Sequence, residues 1–158
     1  MKPVVTTLVF CVRRNEILLA MKKRGFGVGK WNGAGGKLNV GEMPEQAMIR
    51  ECQEEIGLTP TTYEQVAFHD FVLQSDTDTP WHQHNYTYLC TAWEGDPVET
   101  EEMKPQWFAT TNIPYEDMWD DDIHWLPQVL AGKKLKTTFT FDSHDHMRSK
   151  EIQEVDTL

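Results

Sequence analysis

The chain has 158 residues, 39% of them hydrophobic and 25% charged, and a formal net charge of -10 at pH 7. That is enough chain to bury the core of one domain, with the balance of a globular protein, so disorder is not the default. The acidic surplus leaves no excess of Lys and Arg to release counterions from a nucleic-acid backbone, which excludes general binding to a nucleic-acid polymer.

No apolar run approaches the ~20 residues of a bilayer span. The opening MKPVVTTLVFCVRRNEILL breaks at charges without a signal-peptide cleavage pattern. Cys11, Cys52 and Cys90 are odd in number, form no CxxC pair and sit in apolar patterns, where a thiol behaves as a small hydrophobe. The expectation is a soluble, cytoplasmic, monomeric protein with one domain over residues 1–158 and no membrane partner.

In chain order, Val4 to Val12 is β-branched and apolar over a strand's length, and Glu16 to Met21 is a second such run after the polar Arg13-Arg14-Asn15 turn. The stretch KKRGFGVGKWNGAGGK follows, with Gly25, Gly27, Gly29, Gly33, Gly35 and Gly36. So many glycines argue against a regular element and allow backbone to approach a ligand closely. It lacks GxxxxGK[ST], and its GxGxxG-like fragment does not open a helix, so neither the Walker nor the Rossmann loop fits.

Pro44 suits a first helical turn and Gly57 a helix C-cap, which predicts a helix from about Pro44 to about Ile56. At about 100° per residue, Met48, Cys52 and Ile56 make one apolar stripe. Glu51, Glu54 and Glu55 cluster on the adjoining face, facing a cleft. Arg50 lies beyond the acids, where it reaches back to Glu42 or braces a glutamate.

Tyr63 to Leu73, Asn85 to Trp93 and Lys104 to Ala109 read as strands, with Gln74 to His84 as the turn or loop joining the first two. Asp120, Asp121 and Asp122 precede IHWLPQVLAG, a short second helix ended by Gly132. Lys133 to Phe141 alternates as a late strand. Strands mixed with two helices give an α/β fold with helices packed on a mixed sheet.

Glu51, Glu54 and Glu55 stand at the i, i+3, i+4 spacing that puts side chains on one face, where like charges repel by a few tenths of a kcal/mol per pair. The alternatives are a solvated acidic helix or a divalent cation. Hard cations such as Mg²⁺ take oxygen ligands and sit between a few carboxylates and a substrate's phosphates.

Gly36 to Leu58 reads GKLNVGEMPEQAMIRECQEEIGL and resembles the Nudix box, GX5EX7REUXEEXGU with U aliphatic. Gly36, Glu42, Arg50, Glu51, Glu54, Glu55, Gly57 and Leu58 match its fixed positions, and Cys52 is the loose match at the first U. The resemblance implies an α/β/α sandwich that hydrolyses a nucleoside diphosphate linked to another moiety. It uses Mg²⁺, or Mn²⁺, held by Glu51, Glu54 and Glu55 with a carbonyl of Gly35 or Gly36, and one acid takes the proton of the attacking water.

WNGAGGK, VETEEMKPQWF, IPYEDMWDDDIHWLP and the closing EVDTL look like the MutT-homologue branch, whose members degrade oxidised purine nucleoside triphosphates such as 8-oxo-dGTP to monophosphate and pyrophosphate. In that branch the acid before the methionine, here Glu102, lies near the metals, with Glu99 and Glu101 as neighbours that make the alignment ambiguous. The resemblance assigns the purine to Asn32, Trp119 and the acids Asp121 and Asp122. Helix capping is the alternative for the aspartates, and Asp120 adds a one-residue ambiguity.

Phe26 and Phe71 complete an aromatic wall or are ordinary core. Thr7, Lys22 and Lys37 fall where the branch contacts nucleotide or phosphate. His82 and His84 read as exposed loop residues rather than a transition-metal site. The segment Gln74 to His84 departs from the branch, and Ala34, smaller than the residue found there, is expected to loosen the pocket. Other substrates within the family (an ordinary nucleoside triphosphate, a dinucleoside polyphosphate, a nucleotide sugar) remain open, as does a nucleotide-sensing module without turnover. Such modules lose box glutamates, and none is missing here.

Overall fold

A computed structural model describes residues 2–74 and 81–158. Nine strands and two helices occur among them: β1 (Val4–Arg13), β2 (Glu16–Lys22), β3 (Trp31–Asn32), β4 (Ala34–Lys37), α1 (Pro44–Ile56), β5 (Thr59–Leu73), β6 (Trp81–Glu94), β7 (Met103–Ala109), α2 (Asp122–Leu130), β8 (Lys134–Phe141) and β9 (Met147–Val155). A single 3-10 turn at Tyr115–Asp117 leads into α2. The sheet runs β3-β2-β1-β6-β5-β8-β9, with β4 on β1 and β7 on β2. It is mixed: β1 and β6 are parallel, as are β5 and β8, and the other pairs are antiparallel.

Period-2 alternation sends successive residues to opposite faces and so builds two cores. Val9, Cys11, Leu18 and Ala20 pack with Met48, Cys52 and Ile56 of α1. Phe10, Ile17 and Leu19 pack with Trp125, Leu126 and Val129 of α2 on the other side. The architecture is an α/β/α sandwich, as expected.

Helix α1 starts at Pro44, and the Met43 N–H is met by Gln46 Oε1 at 2.9 Å. It stops where Gly57 turns left-handed at φ 76° and its N–H returns to the Gln53 carbonyl at 3.1 Å. Burying the Met48–Cys52–Ile56 stripe contributes roughly 1.5–3 kcal/mol for each large apolar side chain.

Two expectations are corrected, and one strand was not anticipated. The glycine-rich stretch is not irregular throughout, because β3 and β4 lie within it. β4 pairs with β1 because glycine allows the backbones to meet: a Cβ on Gly35 would stand 1.8 Å from the Thr7 carbonyl oxygen. The Gln74–His84 segment is not all loop, since Trp81 to His84 belong to β6, paired with Asp70 to Leu73 of β5. Residues 75–80 of that segment lie outside the described residues. Finally, β9 carries polar, mostly exposed side chains at the sheet edge, so no apolar alternation announced it.

Candidate active site

With its apolar stripe buried, α1 turns Glu51 and Glu55 toward β4, and the fit there is tight. A Cβ on Gly36 would come within 2.7 Å of the Glu51 carboxyl group, so glycine lets strand and acid meet without displacing that carboxylate. The Gly35 N–H donates to Glu55 Oε1 at 3.2 Å, while Glu55 Oε2 is buried without a hydrogen-bond partner. Burial pushes the Glu55 carboxyl up to about 8; the Lys22 cation opposes this and the adjacent Glu51 adds to it.

Arg50 braces this end. It grips Glu42 through two bonds of 2.7 and 2.9 Å and reaches Glu51 at 2.8 Å and Glu54 at 3.3 Å. Both roles expected of it are therefore present. The bond from Arg50, aided by the Asn39 N–H, pulls the Glu42 carboxyl down to about 2.

Among the described residues no three His, Cys, Asp or Glu side chains are gathered closely enough to hold a metal as they stand, and Arg50 engages two of the three expected ligands, Glu51 and Glu54. The donor set nonetheless fits a hard divalent cation: its atoms are oxygens, and the orphaned Glu55 Oε2 beside Glu51 lacks a positive partner. Glu102 is held instead by Arg24, at 2.8 Å from Nε, and faces Lys22 at 3.7 Å. Glu99 binds Lys23 at 2.6 Å and Glu101 is exposed; Glu102 is the one of the three that lines the cavity.

A cavity of about 750 Å³ reaches Gly35 and Gly36, behind which Glu51 and Glu55 stand. Its walls also include Thr7, Lys22, Lys37 and Asn32, and, from the aromatic and acidic side, Phe26, Phe71, Trp119, Asp121 and Asp122. The structure thus brings every expected nucleotide-contacting residue to one cavity. Thr7 is buried with its hydroxyl unpartnered, and Asn32 accepts the Gly33 N–H at 2.8 Å, leaving its amide N–H₂ to donate elsewhere.

The Trp119 ring lies 5.0 Å from that of Phe26, tilted by 33°, and edge-on to Phe141. Phe26 is 62% exposed and is no part of the core; Phe71 both lines the cavity and packs on His69 and Phe139.

Asp121 and Asp122 are 2% and 3% exposed. Asp121 occupies the N-cap position of α2 yet makes no capping bond; Trp125 Nε1 donates to its Oδ2 at 2.8 Å, and Asp122 Oδ2 has no partner. Burial pushes both carboxyls up, Asp121 to about 6 and Asp122 well above its ordinary range, with the Asp121 charge as its second cause. A pair so placed holds a proton near neutrality and offers a donor beside an acceptor. Asp120 turns away to accept the Met147 N–H at 3.0 Å and, unlike Asp121 and Asp122, does not line the cavity.

Ala34 corrects an expectation: it is buried in the core with Met48 and Cys52 and does not line the cavity, so its size cannot loosen the pocket. His82 and His84 face Asp70 at 3.3 and 3.6 Å as part-exposed pairs. Sequence reasoning missed Arg24, Lys30 and the polar side chains Thr6, Gln83 and Asn85 in the cavity wall. The i, i+2 spacing of Gln83 and Asn85 was the available signal once that segment is known to be a strand.

The NUDIX domain model matches residues 1–129. The chain is 42% identical to an oxidized purine nucleoside triphosphate hydrolase of Danio rerio over 96% of each protein. It is 40% identical to one of Mus musculus, again over 96% of each. A MutT protein from Bacillus halodurans has a similar fold, with a TM-score of 0.85, 24% identity and coverage of 95% of this chain and 97% of that one. With its carboxylate helix packed against the glycines of β4 and these matches over most of its length, the chain belongs to the Nudix hydrolase family.

Proposed function

We propose that this hydrolase converts oxidised purine nucleoside triphosphates, 8-oxo-dGTP among them, to monophosphate and pyrophosphate, clearing them from the nucleotide pool. The observation that carries the reading is the buried Asp121–Asp122 pair lining the same cavity as Gly35 and Gly36. Guanine-type bases present N1–H and 2-amino donors, which a carboxylate accepts, and carbonyls, to which a protonated carboxyl donates. Trp119 stacks on the ring, Asn32 donates its amide hydrogens, and Phe26 and Phe71 close the aromatic wall. The names of the Danio and Mus relatives support an oxidised purine as substrate.

Glu51, Glu54 and Glu55, a main-chain carbonyl of Gly35 or Gly36, and Glu102 would hold Mg²⁺, with Mn²⁺ as an alternative. When bound, the cation neutralises the diphosphate and stabilises charge on the leaving phosphate. Lys22 and Lys37 add positive charge along the phosphates, and Thr7 contacts the nucleotide. Arg50 fixes the box acids. One of these takes a proton from water as the water oxygen bonds to phosphorus and the phosphoanhydride breaks toward pyrophosphate.

The protein acts as a monomer and a single domain over 1–158, in the cytoplasm, where three free buried thiols persist. It has neither a nucleic-acid polymer nor a membrane as partner. Among the described residues no helix is long and apolar enough to cross a membrane. The test is product analysis on a panel of oxidised and ordinary nucleoside triphosphates with Mg²⁺ and with chelator. Mg²⁺-dependent pyrophosphate release favouring the oxidised purines is expected, and equal turnover of the whole panel would overturn the substrate assignment.

A further inference from the structure

Four cationic side chains line the cavity among the described residues: Lys22, Arg24, Lys30 and Lys37. Three of them belong to the box end. Arg24 donates to Glu102 at 2.8 Å, and Lys22 faces the same carboxylate at 3.7 Å while its charge acts on Glu55. Lys37 follows Gly36 on β4. Lys30 stands apart, and what its charge meets is an aromatic ring.

The main chain fixes where this side chain starts. The Lys30 carbonyl accepts the Lys22 N–H at 3.1 Å, the Lys30 N–H donates to the Gly27 carbonyl at 3.1 Å, and β3 begins at the next residue. From there the ammonium nitrogen reaches to 5.2 Å from the centroid of the Trp119 ring. That is inside the ~6 Å over which a cation is drawn to the negative face of an aromatic ring, and indole is the best such partner. The loop touches Trp119 twice more: Phe26 packs on its ring, and a Cβ on Gly27 would stand 3.4 Å from its Nε1.

The charge is felt beyond the ring. Trp119 leads into α2, and its carbonyl accepts the Asp122 N–H at 3.1 Å. Burial is the chief cause that pushes the Asp122 carboxyl up, the Asp121 charge adds to it, and the Lys30 charge opposes both. The other polar neighbours of the pair are the Trp125 N–H, which donates to Asp121, and Asp120, whose charge raises Asp121 further. Lys30 therefore has two neighbours, an indole and a buried acid pair, and both belong to the end of the cavity assigned above to the base.

Resting on the nucleotide reading above, we infer that Lys30 is a positioning residue for base recognition: its ammonium holds the Trp119 ring as the stacking surface and counters the charge of the acid pair, so that it acts on the base and not on the phosphates. Positive charge over the ring is the property required. Arginine, which also lies over indole faces, can supply it, and a neutral side chain of similar reach cannot.

The test is calorimetric binding, in chelator, of 8-oxo-dGMP and 8-oxo-dGTP to the parent, Lys30→Met, Lys30→Arg, Trp119→Leu and the Lys30→Met, Trp119→Leu double variant. Physiological ionic strength, with a screening length of about 8 Å, keeps remote charge effects small. Lys30→Met weakens both ligands by the same factor, about 3- to 10-fold, the worth of a partly desolvated cation–π contact, and Lys30→Arg stays within about twofold of the parent. Without the Trp119 ring, Lys30→Met costs a smaller factor than it does in the parent. A factor that grows from monophosphate to triphosphate places Lys30 on the phosphates and overturns the inference alone. So does an absence of weakening, an equal loss in Lys30→Arg, or the same factor with and without Trp119. Failure of the parent to bind either ligand overturns the nucleotide reading and this inference together.

Discussion

The cavity serves two acidic regions that solve the same electrostatic problem in opposite ways. Around α1, Arg50 binds Glu42, Glu51 and Glu54, and its bond to Glu42 pulls that carboxyl down to about 2. Only Glu55 is buried there, with one oxygen unpartnered beside β4. At the start of α2, Asp121 and Asp122 are sealed from water with an indole N–H as their hydrogen-bonding neighbour, and they relieve repulsion by keeping a proton. The first arrangement suits handing oxygens to a cation. The second suits reading hydrogen bonds on a neutral ring, where a misplaced donor leaves a buried group unpaired.

The largest effects are expected at the α1 end. Chelation, or Glu55→Gln, should lower turnover by about 10³-fold or more for every substrate, with far-UV circular dichroism and thermal melting unchanged. Retained turnover in the purified variant would break the assignment. At the α2 end, Asp122→Asn and Trp119→Ala should leave metal dependence intact. Steady-state kinetics should instead show the ratio of oxidised to ordinary nucleotide turnover falling by about 10- to 100-fold. An unchanged ratio in both would remove this end from base selection.

Stability separates the two ends further. The folded pKa values of Asp121 and Asp122 lie above their ordinary 3.8, so the folded chain binds more protons than the unfolded one. Their contribution to stability is present below about pH 4 and is lost as pH rises through about 6 for Asp121 and higher for Asp122. Urea unfolding of Asp122→Asn at pH 7.5 should therefore give a stability raised by about 1–2 kcal/mol and a flatter dependence on pH. Loss of stability there would mean the pair is not strained.

The smallest effect concerns His69, which packs under Trp125 with ring centroids 4.4 Å apart and so supports the same end. It is fully buried with Nε2 unpartnered, and burial pushes its pKa down to about 3. Neutral His69 is compatible with the fold above pH 6.5, and stability is lost as pH falls from there toward 3. His69→Leu should flatten that acid limb and change neutral-pH stability by about 1 kcal/mol or less, measured by the same urea titrations.

Sequence and structure agree where local rules dominate. Pro44, Gly57 and the Met48–Cys52–Ile56 stripe locate α1, because caps and helical periodicity act within a few positions. The box glutamates were legible by spacing, and the box pattern supplied the expectation of a divalent cation held by them.

The Asp121–Asp122 pair was visible only by resemblance, since three consecutive aspartates before a helix read equally well as caps. Their burial depends on α2 docking against Phe10 and Trp125's neighbours in the sheet. β4 was hidden because its glycines serve close approach rather than strand propensity, and β9 because an edge strand needs no apolar face. Thr6 and Gln83 are 77 positions apart, one inside a β-branched run and the other in a segment read as loop, so their hydrogen bond exists only through the β1–β6 pairing.

The central claim is that hydrolysis and base choice belong to different acids. The most direct measurement is pyrophosphate release from 8-oxo-dGTP and dGTP by the parent, Glu55→Gln and Asp122→Asn in Mg²⁺. The account predicts that Glu55→Gln loses both activities by the same factor, preserving their ratio, while Asp122→Asn keeps turnover of dGTP and loses the preference. A changed ratio in Glu55→Gln, or equal loss of both activities in Asp122→Asn, would contradict it.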